Sequence, residues 1–208
     1  MELAGADELI ARFGGVDAFA ERQAANRVAL GPAYIEYVFT VSAPEHAISL
    51  SLASFVLTVC EAVDPVSAAD LGSGFSSFVL RRFAAERPAG ARVVSVDDDP
   101  DWLGKTAAFL ASAGLPANDV LPWREFAAAG ERFELVVYDL GRWQRRFDAL
   151  PKALASLACG GMLILDDLHI DRYRELVEHV LDTARLRAYD LTPYTADEYG
   201  RFAWAVIT

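Results

Sequence analysis

Ala68-Ala69-Asp70-Leu71-Gly72-Ser73-Gly74-Phe75-Ser76-Ser77 is the stretch that decides the fold. An apolar, strand-like lead-in reaches an acidic residue and a glycine turn, and the helical pattern Phe78-Val79-Leu80-Arg81-Arg82-Phe83 follows at once. Gly72 and Gly74 let the backbone turn tightly and let a ligand approach the main chain closely. The helix start behind them aims free N–H groups at such a ligand. This is a nucleotide-cradling strand–turn–helix unit. The dinucleotide fingerprint is incomplete, because Ser76 and Ser77 stand where its third glycine would fall.

The next strand, Arg92-Val93-Val94-Ser95-Val96, ends in Asp97-Asp98-Asp99-Pro100. An acidic residue at the tip of a second strand, about 20–30 residues past the glycine turn, is placed to accept hydrogen bonds from ribose hydroxyls. Asp97 comes first after the strand and takes that role. Asp99 before Pro100 reads as a helix N-cap with proline at the first helical position, opening a helix from Asp101 to Ala113 that stops at Gly114.

Four blocks now stand in order: Asp70–Gly74, Val94–Pro100, Phe133-Glu134-Leu135-Val136-Val137-Tyr138-Asp139, and Cys159-Gly160-Gly161-Met162-Leu163-Ile164-Leu165-Asp166-Asp167. In that order they resemble class I S-adenosylmethionine-dependent methyltransferases, over roughly residues 45–208. The departure is Ser76, where many members carry a further glycine; its N–H can still donate and its hydroxyl can cap the helix. The resemblance implies a Rossmann-like, mostly parallel sheet in the order 3-2-1-4-5-7-6 with an antiparallel last strand, and S-adenosylmethionine as cofactor. The implied cofactor contacts are Asp70, Gly72, Ser73, Gly74, Ser76, Asp97, Asp98, Trp123 and Asp139.

Composition agrees with a single α/β domain. At 208 residues and 53% hydrophobic content, the chain can bury a full core without staples. No apolar run reaches membrane-spanning length, and the first residues, Met1-Glu2-Leu3-Ala4-Gly5-Ala6-Asp7-Glu8, are acidic rather than a basic leader. Cys60 and Cys159 sit in apolar, helix-like contexts and read as buried free thiols. Cytoplasmic residence is the expectation. A net charge of −11 argues against a nucleic-acid partner. The cluster Arg142, Arg145 and Arg146 reads as a solvated helix start, with service to an acidic substrate as the alternative.

Residues 5–27 read as an amphipathic helix broken at Gly14-Gly15, followed by a turn at Gly31-Pro32. Ser42-Ala43-Pro44-Glu45 is a capping signature for a helix running to about Ala62. Strands are expected at 66–71, 92–97, 118–121, 134–139 and 161–166, alternating with helices. A helix over about 170–184 follows, and the pair 185–191 and 201–208 closes the sheet as a hairpin. Residues 1–45 form an N-terminal helical cap on a domain spanning 46–208. The cap closes over the acceptor with Tyr34, Tyr37 and Phe39; a dimer-forming arm, giving a homodimer, is the competing reading.

The ligand of such a sheet lies over the carboxyl ends of its strands. Trp123 can lie against an adenine face there, or pack over its own helix. Asp139, Asp166 and Asp167 end adjacent strands and should converge. Such clustered carboxylates repel, and a hard cation relieves that repulsion. This resembles the metal site of catechol and caffeoyl-coenzyme A type O-methyltransferases, which implies Mg²⁺ or another divalent cation on these three; turn residues capping the next helix are the alternative. His169, just after the pair, can act as general base or further ligand, and Asp139 is the other catalytic candidate. His46 faces the same end of the chain fold, and His179 reads as surface. The resulting expectation is methyl transfer to a small molecule, at a hydroxyl oxygen. A non-enzymatic ligand-binding or scaffolding protein is the alternative. An aminopropyltransferase is disfavoured by Asp139-Leu140-Gly141-Arg142, and an NAD-dependent oxidoreductase by the incomplete glycine fingerprint.

Overall fold

Short runs of β-branched and apolar residues, each stopped by aspartate, proline or glycine, become strands here because both of their faces find helices to pack on. In the computed structural model, which describes residues 3–208, the chain begins with β1 (Leu3–Gly5), α1 (Ala6–Ile10), a 3₁₀ turn (Ala11–Phe13), α2 (Val16–Thr40) and α3 (Leu50–Val63). The nucleotide half follows: β2 (Ser67–Leu71), α4 (Phe75–Glu86), β3 (Arg92–Asp97), α5 (Pro100–Ser112), β4 (Val120–Pro122) and α6 (Trp123–Ala129). The rest is β5 (Phe133–Tyr138), α7 (Trp143–Ala155), β6 (Leu157–Leu165), α8 (Asp171–Ala184), β7 (Ala188–Asp190), α9 (Thr192–Thr195) and β8 (Trp204–Ile207).

The strands form one sheet in the order β1-β7-β8-β6-β5-β2-β3-β4. Counted from β2, the first strand of the nucleotide half, this is the expected 3-2-1-4-5-7-6 with β1 added beyond strand 6. Only β8 runs against its neighbours, antiparallel to β6 and β7, and the other pairings are parallel. Alternate residues of a strand serve opposite cores. Leu135 and Val137 join the layer built by α2, α3, α4 and α5, while Val136 and Tyr138 join that of α6, α7 and α8. Among the described residues no helix is long and apolar enough to cross a membrane.

The N-terminal segment differs from the sequence expectation. It is built into the sheet and its core: β1 pairs with β7, and Ala4, Leu9, Ile10, Phe19 and Leu30 share a core with Ile48, Phe55 and Ile164. The helix break falls at Gly14 and Gly15, whose φ values of +100° and +106° suit glycine. No turn forms at Gly31-Pro32; α2 runs straight through it. Phe19, Asn26, Leu30 and Tyr37 repeat at helical spacing and are all buried, and that tertiary packing outweighs the local break. The next helix begins at Leu50 rather than at Pro44, capped by Ser49 Oγ accepting from the Leu52 N–H at 3.0 Å. The reason lies across the molecule: the Arg201 guanidinium donates to the carbonyls of Pro44 (3.1 Å), Glu45 (3.2 Å) and Ala47 (2.9 Å), which a helix would have used internally. Cys60 is a buried thiol, as expected; Cys159 is exposed, on β6 rather than in a helix.

Pro32 sits in the interior of α2 on its exposed side, where it withholds the N–H that would reach the Val28 carbonyl. Proline costs up to about 3 kcal/mol relative to alanine in a helix interior, partly offset by about 0.4–1 kcal/mol of unfolded-state entropy. Pro32→Ala should therefore raise unfolding stability by about 1–2 kcal/mol in urea titration. Unchanged or lower stability would mean that the packing of α2 depends on the proline.

Candidate active site

The end of β2 is pressed onto the end of β5. The Asp139 N–H donates to the Leu71 carbonyl at 2.7 Å, and a Cβ on Gly72 would collide with the Asp139 carbonyl group. Gly72 also has φ +115°, so two independent constraints require glycine there. The Gly72 and Ser73 N–H groups bond the Val96 carbonyl (2.8 and 3.0 Å), tying the turn to β3 as well.

Around this turn the acidic residues are held by short polar links. Asp70 is fully buried: its Oδ2 accepts from Ser77 Oγ at 2.5 Å, and its Oδ1 has no partner. Burial is the chief cause that pushes its pKa up to about 7, with Ser77 and Ser76 pulling the other way. Ser77, which stands where a fingerprint glycine was absent, thus works through its hydroxyl. Asp97 is also buried, accepts from the Asp99 N–H (3.1 Å) and lies 3.4 Å from Ser73 Oγ; desolvation pushes its pKa up to about 6. Asp99 caps α5 as expected, accepting from the N–H groups of Asp101 (2.9 Å) and Trp102 (3.4 Å). That cap delivers Trp102, whose indole N–H donates to the Ser73 carbonyl at 2.5 Å, to the edge of the turn.

These groups line one end of a cavity of about 800 Å³. Gly72, Ser73, Gly74, Ser76, Asp97, Asp98 and Asp139 all face it, whereas Asp70 is fully buried and does not line it. Trp123 does not: its ring packs on Phe126, with centroids 5.6 Å apart, because the apolar core beneath α6 claims it. Trp102, for which the sequence pattern carries no site signal, is the tryptophan that lines the cavity. Tyr37, with rings of Phe75 and Phe109 at 5.5 and 5.0 Å, sets its hydroxyl against Gly74, and the segment Glu45–Ile48, including His46, also lines the cavity. Phe39 points away and is exposed, as is His179, while Tyr34 is half-buried on the Phe75 ring.

Asp139, Asp166 and Asp167 do converge on this cavity. Two of them, Asp139 and Asp167, meet a guanidinium. Arg146, on α7, donates to Asp167 Oδ2 from Nη1 at 2.8 Å and to the Gly141 carbonyl from Nε (3.1 Å) and Nη2 (3.0 Å). Asp139 Oδ1 lies 2.6 Å from Nη2, a charge contact rather than an aligned hydrogen bond, since that nitrogen directs its bond to Gly141. Burial works against the charge of Arg146, but Asp139 and Asp167 outweigh it and hold the guanidinium protonated. Burial raises both Asp139 and Asp166 well above the usual carboxylate range. The carboxylate repulsion that suggested a divalent ion is thus already relieved by a side chain. Among the described residues no group of three or more His, Cys, Asp or Glu is arranged to hold a metal. The expected cation therefore does not fit these residues as they stand. His169 does not line the cavity either; its Nδ1 lies 3.5 Å from Asp167 Oδ1, behind the cluster.

Of the basic cluster expected at a solvated helix start, Arg142 and Arg145 are exposed and Arg146 is buried. The signal that separates it was present: Arg146, Ala149, Leu150 and Ala153 fall on one helical stripe, the buried face of α7. Arg145 pairs instead with Asp98 (3.4 Å).

Asp70 binds its proton more tightly folded than unfolded, so its contribution to stability is full below about pH 4 and is lost as pH rises through about 7. In Asp70→Asn the amide oxygen can still accept from Ser77, and the buried charge is gone. The variant should be more stable than the parent at pH 8, on the order of 1–3 kcal/mol, and the gap should close towards pH 5. Equal pH profiles for the two ligand-free proteins in thermal unfolding would show that Asp70 is not the group that resists ionisation.

No protein-family model matches the sequence, and no curated protein matches it. Solved structures do resemble it. An O-methyltransferase from Bacillus cereus in complex with SAH superposes with a TM-score of 0.63 at 16% identity, over 98% of this chain and 97% of that one. The O-methyltransferase TomG from Streptomyces achromogenes, involved in tomaymycin synthesis and solved with SAM, gives 0.62 at 16% identity over 88% and 89%. The SAH-bound methyltransferase PaMTH1 of Podospora anserina gives 0.64 at 12% identity over 92% and 87%. At such identities the likeness speaks for the fold alone, which this chain shares with these SAM- and SAH-bound methyltransferases.

Proposed function

We propose that this chain is an S-adenosylmethionine-dependent methyltransferase that methylates a hydroxyl oxygen of a small molecule. The observation that carries the reading is the pair of buried carboxylates, Asp70 and Asp97, flanking a glycine turn whose open side is the cavity. Asp70 is sealed from the cavity, so its negative charge acts through the turn rather than by direct contact, and it suits the ammonium of the cofactor's amino-acid end. Asp97, with Asp98 beside it, suits ribose hydroxyls. The N–H groups at the start of α4, a helix of 12 residues, suit the cofactor's carboxylate. A volume of about 800 Å³ is in the range of small-ligand sites.

When bound, the cofactor supplies a methyl group on a sulfonium, ready for in-line displacement. What remains for the chain is alignment and proton removal. Tyr37 lies against Gly74 of the turn itself, and His46 and Ile48 line the cavity from the 45–48 segment and help fix where an acceptor lies. Asp139, at the tip of β5, faces the cavity and would take the acceptor's hydroxyl proton as the new carbon–oxygen bond forms. Its raised proton affinity suits a general base working near neutral pH.

Calorimetric titration with S-adenosylmethionine tests the reading. The parent protein should bind, and Asp97→Ala should bind about tenfold or more weakly, since a hydrogen bond to a charged group contributes about 1.5–3 kcal/mol. Affinity should also weaken as pH falls through about 7 and 6, where Asp70 and Asp97 take up protons and lose their negative charge. Absence of binding by the parent protein at pH 8 would sink the proposal. Binding without formation of S-adenosylhomocysteine across a panel of hydroxylated acceptors would favour a non-enzymatic ligand-binding role.

A further inference from the structure

The acidic end of the cavity has its own cation. Arg146 is buried, its guanidinium is anchored by two bonds to the Gly141 carbonyl, and the same group touches both Asp139 and Asp167. Gly141 is itself fixed, with φ +55° and an ideal Cβ only 2.9 Å from Asp98 Oδ1. The arginine is therefore not a surface side chain that has fallen into an empty site. The α7 stripe that buries Ala149, Leu150 and Ala153 also carries Arg146 inward, and the loop before α7 supplies its carbonyl anchor.

We propose that Arg146 is a tethered replacement for the divalent cation in this cleft, so that the chain excludes metal from Asp139, Asp166 and Asp167 and works without one. A divalent ion on those carboxylates would have to share them with a fixed positive charge. Like charges at such separations in a buried site repel strongly, and Asp139 Oδ1 and Asp167 Oδ2 already lie against the guanidinium. The guanidinium also differs from an ion in what it leaves to the acceptor. A bound ion would take the acceptor oxygen as a ligand and lower its pKa; Arg146 instead holds Asp139 in place, and proton removal falls to that carboxylate. The last step rests on the methyltransferase reading, whereas exclusion of metal does not.

Mn²⁺ titration followed by electron paramagnetic resonance tests the exclusion without needing an acceptor or turnover. Metal-stripped parent protein should leave Mn²⁺ free up to about millimolar concentration, the weak end of protein sites built from oxygen ligands. Arg146→Met should gain a site at least about tenfold tighter than any in the parent, and Arg146→Met with Asp139→Asn should lose it again. Should the methionine variant fail to give the parent's circular dichroism, Arg146→Gln takes its place, since it keeps an amide donor for Gly141 without the charge. Tight Mn²⁺ binding by the parent, abolished by Asp139→Asn, would overturn the proposal. So would a folded Arg146 variant that still binds no Mn²⁺, because something other than the guanidinium would then be keeping metal out. A failure of the parent to bind S-adenosylmethionine would leave these outcomes readable and would count against the methyltransferase reading alone.

Discussion

The contact on which the site depends is the seam between Gly72 and Asp139. Two parallel strands, β2 and β5, end side by side at the point where strand order reverses, and the backbone of one fills the space a side chain would need on the other. The bond from the Asp139 N–H to the Leu71 carbonyl locks their relative height. Asp70 and Asp97 are placed by the first strand's turn and its tie to β3. Asp139 is placed by the second, and Asp166 follows because its N–H reaches the Tyr138 carbonyl at 3.1 Å. Four acidic residues on four strands thus share one frame built from main-chain bonds, which does not relax when side chains change.

Such a frame is electrostatically expensive. Asp70, Asp97, Asp139 and Asp166 are all held where burial resists their ionisation. Two buried arginines answer them from different distances in sequence. Arg146 enters from α7 within seven residues of Asp139. Arg201 enters from the approach to β8, bound to Asp197 (2.7 Å) and to three carbonyls of the 44–47 segment. Pairing a buried charge is worth less than its Coulomb energy suggests, but leaving either side unpaired is strongly destabilising. The acidic strand ends and the two arginines therefore have to be understood as one electrostatic unit, and loss of either arginine should be felt by the fold as well as by the cleft.

What could be read in the sequence was whatever depends on local pattern. Asp-Leu-Gly-Ser-Gly marks a turn because glycine is required there, and Asp99-Pro100 marks a helix start because the cap chemistry is local. The strand order was available through the resemblance of four ordered blocks. What could not be read depends on partners distant along the chain. The Pro44 signature failed as a helix start because Arg201, over 150 residues away, takes the carbonyls. Gly31-Pro32 failed as a turn because α3 and the sheet bury one whole face of α2. Trp123 and Trp102 are alike as residues, each at a helix entrance beside a strand end, and only packing decides which one reaches the cavity. Arg146 is the intermediate case: its helical stripe was legible, but the basic cluster around it suggested solvent.

The two halves of the cavity are consequently built in different ways. The turn side rests on strand ends, with main-chain bonds, a glycine that tolerates no side chain, and carboxylates fixed by hydroxyls. Tyr37 belongs to that side as well, locked by Phe75 and Phe109 with its hydroxyl against Gly74. The other lining rests on a segment held by one residue: Arg201 clamps 44–47, and from there His46, Ala47 and Ile48 line the cavity without taking part in the seam. Substitutions at His46 or Ile48 can change the shape offered to an acceptor without disturbing Gly72 or the strand ends. On the methyltransferase reading, a fold divided in this way would keep its cofactor side while its acceptor side changes, because the constraints on the two are carried by different bonds.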